Sequence, residues 1–101
     1  MYYIGIDLGK KHDPTAIALV ERPEPHPSFR TPGAGRFEVI GLERVPLGTP
    51  YMDVVERVAA LTMRPALVGR CVVVVDATGV GAPVVEALRR RLTCEVTAVT
   101  I

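Results

Sequence analysis

Four consecutive valines, Val72 to Val75, constrain this chain more than any other feature. β-Branched side chains lose rotamer freedom in a helix and pack well on a pleated sheet, so the run is a strand. With no polar position it turns neither face to water. It is therefore expected to be buried on both faces, as in a parallel sheet covered by helices. The strand ends on Asp76, followed by Ala-Thr-Gly-Val-Gly over 77–81. A carboxylate at the end of a buried strand is costly unless something pairs with it.

The flanking sequence supplies the other layers. Tyr2–Leu8 alternates, with Ile4, Ile6 and Leu8 on one face and Tyr3, Gly5 and Asp7 on the other. Gly9 to Pro14 is a turn, and Thr15–Glu21 reads as the second strand of a hairpin. Residues 22–36 hold four prolines and two glycines and form a loop. Phe37–Val45 is a third strand whose alternation is blurred at Gly41 and Leu42.

The period then changes. Thr49 is the expected N-cap of a helix with Pro50 in its first position. Tyr51, Val54, Val55, Val58, Leu61 and Thr62 form its buried stripe, and Pro65 stops it. After the valine strand (71–76), Ala82-Pro83 opens a second helix with Val84, Val85, Leu88 and Leu92 inward. Arg89, Arg90 and Arg91 crowd its last turn, which suits the helix dipole. Glu95–Ile101 is the fifth strand. The order β-β-β-α-β-α-β predicts an α/β fold with a mixed five-stranded sheet. Its crossovers are right-handed, and the first strand is central, flanked by the second and fourth.

Composition fits one domain over 1–101: 101 residues, 49% hydrophobic, net charge +1 from 12 basic and 11 acidic residues. So even a balance neither favours nor forbids a nucleic-acid partner. Cys71 and Cys94 make no disulfide framework and match no zinc spacing; both read as small apolar residues at strand entrances. Met1 leads straight into a strand, so no signal peptide is expected, and no apolar run would span a bilayer. A cytoplasmic protein with no membrane partner is expected.

Among four aspartates, Asp7 stands near the C-terminal end of the first strand and Asp76 ends the fourth. On parallel neighbours they would lie about 5 Å apart at the sheet's C-terminal edge, where open α/β sheets place their sites. Oxygen ligands with open positions suit Mg2+ or Mn2+, and a pair of such ions can cleave phosphodiesters. The alternative is that Asp76 caps its turn through the amides of Thr78 and Gly79 while Asp7 lies in solvent.

IGIDLG at the start, a short polar turn ending in DPTAIALV, and VVVVDATGVGAPVVEALR after the first helix together resemble the ribonuclease-H-like superfamily. More closely, they are similar to the nuclease domain of phage terminase large subunits, the DNA-packaging motors. The resemblance covers almost the whole chain. It implies a DNA endonuclease in which Asp7 and Asp76 are metal ligands and catalytic residues. In that family a third acidic ligand comes from a C-terminal helix, and this chain stops before it. The resemblance thus suits a fragment, a gene truncated within a prophage, or a small protein that completes its site through a second copy. Apolar surface left without that helix favours a homo-oligomer. Two other functions fit: a catalytically inactive assembly or DNA-binding domain of the same fold, and an actin-like ATPase fragment, since IGIDLG also opens that family.

Other residues carry weaker signals. Lys10, Lys11 and His12 at the hairpin tip are candidates for a nucleic-acid backbone contact, against the commoner solvated turn. His12 is a remote candidate general base. Asp13 suits a turn better than a metal. Thr78 to Gly81 lacks a phosphate-loop lysine, so its glycines serve a sharp turn. The arginine run is a solvated helix end or a DNA contact, and His26 has no visible partner.

Overall fold

The computed structural model describes residues 1–9, 12–23, 36–79 and 82–100. Most of the proline-rich loop, including His26, lies outside the described residues, as do Lys10 and Lys11. The elements are β1 (Tyr2–Asp7), β2 (Ala16–Glu21), β3 (Glu38–Arg44), α1 (Tyr51–Thr62), β4 (Cys71–Asp76), α2 (Ala82–Arg91) and β5 (Glu95–Val99). They form one sheet in the order β3-β2-β1-β4-β5, with β1 central as expected. β1 to β3 form an antiparallel meander, whereas β4 runs parallel to both β1 and β5.

The core lies between one sheet face and the two helices. Ile4, Ile6, Ile17, Val73, Val75 and Val96 point into it from the strands. Val54, Val55, Val58, Val84, Val85 and Leu88 meet them from α1 and α2. One expectation fails here. β4 is not buried on both faces: Cys71, Val73 and Val75 are buried, while Val72, Val74 and Asp76 are only half-buried. The reason is topological. Both crossovers, β3-α1-β4 and β4-α2-β5, move the chain in the same direction along the sheet. Equal handedness then lays both helices on the same face. Among the described residues no helix covers the other face.

Two local expectations also shift. Thr49 does not cap α1; Pro50 occupies the cap position, with no side-chain cap bond. The Thr49 hydroxyl donates instead to the Pro46 carbonyl at 2.6 Å, closing a turn in which Gly48 takes φ +85°. The blurred alternation of β3 has a structural cause. Val39 pairs with Val20 and Gly41 with Leu19, so Ile40 is an extra residue, a β-bulge. Among the described residues no helix is long and apolar enough to cross a membrane.

Candidate metal centre

Strand register decides where the aspartates go. β1 pairs with β4 from Tyr2↔Cys71 through Asp7↔Asp76, so the two carboxylates share the last rung of the central parallel pair. Register partners lie on the same face, here the one opposite the core, with Cα atoms about 5 Å apart. Asp7 is exposed and Asp76 half-buried. They line an open cleft of about 360 Å³ together with Leu8, Gly9, Asp13, Pro14 and Thr78.

Asp76 also takes part in its turn, since the Thr78 amide donates to its Oδ1 at 2.9 Å. Gly79 follows at φ +71°, a backbone conformation that glycine adopts without strain. A carboxylate has about four acceptor positions, and the Thr78 amide takes up one of them. The turn-capping role expected as the alternative is thus present in part, and it is compatible with ligation.

The floor of the cleft is held by contacts that the sequence does not advertise. The Gly9 amide donates to Thr15 Oγ1 at 2.9 Å, and the Tyr51 hydroxyl donates to the Gly9 carbonyl at 2.7 Å. A Cβ on Gly9 would fall against the Asp13 carbonyl and within 2.6 Å of Pro14 C and Thr15 N. The chain therefore folds back tightly on a residue that must be glycine. Tyr51 was legible only as part of the buried stripe of α1, yet it fixes the segment that follows Asp7. Arg44 is a second residue that sequence reasoning missed. It pairs with Ala16, which pairs with Asp7, so the last row of the open face reads Arg44, Ala16, Asp7, Asp76, Val99. The bulge at Ile40 hid that placement by breaking the alternation upstream of it.

The remaining candidates separate. His12 is exposed, and Lys10 and Lys11 lie outside the described residues. Arg91 pairs with Glu56 at 2.8 Å, tying α2 to α1, and its guanidinium pKa is raised by that hydrogen bond and charge. Arg57 pairs likewise with Glu43 at 2.9 Å, joining α1 to β3. Among the described residues no group of three or more His, Cys, Asp or Glu could hold a metal ion. The donor set is thus two carboxylates on one rung beside an open cleft. That fits Mg2+ or Mn2+, which bind through one or two carboxylates, water and substrate phosphate.

No family model matches the chain, and no curated protein matches it. Among solved structures it is similar to the fowlpox virus Holliday junction resolvase, with a TM-score of 0.65 at 12% identity. The match covers 99% of this chain and 61% of the resolvase, so the chain spans about three fifths of that protein's length. The likeness shows the fold: a mixed α/β sheet, as the order of elements implied, of the ribonuclease-H-like type that the resemblance implied.

Proposed function

We propose that the chain is a divalent-metal-dependent nuclease domain acting on DNA, with Asp7 and Asp76 as ligands of Mg2+ or Mn2+. The observation that carries this reading is the shared rung Asp7↔Asp76 at the C-terminal edge of the central strands, opening on a cleft. Its support from the neighbour is fold likeness to a protein named as a Holliday junction resolvase. When bound, the metal would activate water and stabilise the leaving oxygen of a phosphodiester. The chain's own residues hold the geometry. Thr78 orients Asp76, and the Tyr51–Gly9–Thr15 contacts fix the segment after Asp7. Asp13 lines the same cleft, in the turn that follows Asp7. Arg44, two strands from Asp7 along the last row, and the Lys10-Lys11-His12 tip meet the phosphate backbone.

Within this class, the IGIDLG and DATGVG segments favour a terminase-like nuclease of phage or prophage origin, used in DNA packaging. The sheet face that no helix covers among the described residues favours a homo-oligomer. A second reading, a non-cleaving DNA-binding or assembly domain of the same fold, draws support from the Thr78–Asp76 bond, which is what a turn cap makes.

The test is cleavage of linear duplex, single-stranded and four-way-junction DNA with Mg2+, Mn2+ or a chelator. Metal-dependent nicking that Asp7→Asn abolishes is the expected result. DNA binding without cleavage under every condition would leave the second reading.

A further inference from the structure

A second chemistry-bearing pair lies at the opposite end of the sheet from the aspartates. β4 and β5 pair in parallel from Val72↔Glu95 onward. One residue before that first pair stand Cys71, the first residue of β4, and Cys94, which immediately precedes β5; both are free thiols. Parallel rungs are about 5 Å apart, inside the Cα separation that a disulfide spans. Cys71 is buried in the core, and Cys94 is half-buried and packed against the same core.

We propose that Cys71 and Cys94 are a modification site, a thiol pair that a peroxide closes reversibly into an intrachain disulfide. The two groups already interact. Burial first, and then the neighbouring Cys94, push the Cys71 thiol up to about 11. A buried thiol held protonated is a poor first nucleophile, so the half-buried Cys94 meets the oxidant. The Cys94 thiolate attacks one oxygen of hydrogen peroxide, giving a sulfenic acid and, after protonation, one water. Cys71 then attacks that sulfur, losing its proton, and the sulfenic oxygen leaves as a second water. Two thiols and one peroxide become one disulfide and two waters.

The link would bridge the N-terminal entrance of β4 to the entrance of β5 and enclose α2. It leaves the Asp7–Asp76 rung untouched at the other end of β4, so the inference does not rest on the nuclease reading.

The experiment treats the whole chain with hydrogen peroxide at mildly alkaline pH, then measures intact mass, free thiols and the non-reducing gel. The expected result is a mass lower by two hydrogens, loss of both thiols and a monomer-sized band. A Cys71–Cys94 linked peptide and full reversal by dithiothreitol complete it. Because Cys71 is buried and its replacement risks the fold, the control is Cys94→Ser, which must show no such mass loss. Both thiols surviving treatment would overturn the proposal. So would their consumption only through interchain bonds or sulfinic acids.

Discussion

At the scale of single residues, function and fold meet in the last rung of the central strands. If Asp7 and Asp76 hold a cation, Asp76→Asn removes a ligand charge while keeping an oxygen for the Thr78 amide. Affinity for Mn2+ is then expected to fall at least tenfold with little change in thermal midpoint, and calorimetry beside a melting curve separates the two effects. Gly9→Ala is the opposite case. Its Cβ would meet backbone atoms that cannot turn aside, so a loss of roughly 3 kcal/mol in stability is expected from denaturant titration. Tyr51→Phe removes one donor from the Gly9 carbonyl and is expected to cost about 1 kcal/mol. The aspartates were legible in the sequence because strand alternation and an abrupt charge after four valines mark them. Tyr51 and Thr15 were not. A hydroxyl meeting a carbonyl 42 positions away follows no local period. Cys71 adds a pH dependence. Its folded pKa, about 11, stands above the ordinary 9.0, so the folded state binds the proton more tightly. That contribution is complete below pH 9 and is lost as pH rises from about 9 to about 11. Melting curves across this range test it, with Cys71→Ala expected to flatten the decline.

At the scale of elements, periodicity carried most of the information. The helical stripe of α1 was read almost whole, and only Ala59 was missed, an alanine being too small to mark a face. Leu88 is 1% exposed at the centre of α2, between the helices and the sheet. Leu88→Ala is expected to cost 2–5 kcal/mol, roughly, and for a domain this small that is a large part of the total. Chemical denaturation of the variant measures it. The helix start was misplaced by one residue, because the Thr49 hydroxyl had a nearer acceptor in the Pro46 carbonyl. β3 was legible as a strand, but its register was not. A bulge inserts one residue, and every position beyond it changes face. Arg44 reaches the row of the aspartates by that shift. Arg44→Ala is expected to weaken DNA binding without changing the metal affinity, as gel-shift and calorimetric titrations would show.

At the scale of the molecule, chain direction explains what composition hid. A run of valines looks the same whether one face is covered or two. Only the order of crossovers shows that both helices share a face. The other face keeps Val39 62% and Leu42 78% exposed, on an edge strand with one neighbour. Such a surface favours association. Light scattering at rising concentration is expected to give more than one chain's mass, and Leu42→Lys to lower it. The fold and the shared rung of the aspartates follow from strand order. Their chemistry is the central claim, and it is tested most directly by titrating Mn2+ into the whole chain by calorimetry, beside Asp76→Asn. Saturable binding that the variant loses is the predicted result. No binding to the unmodified chain would contradict the account and leave the two aspartates as a turn cap and a solvated neighbour.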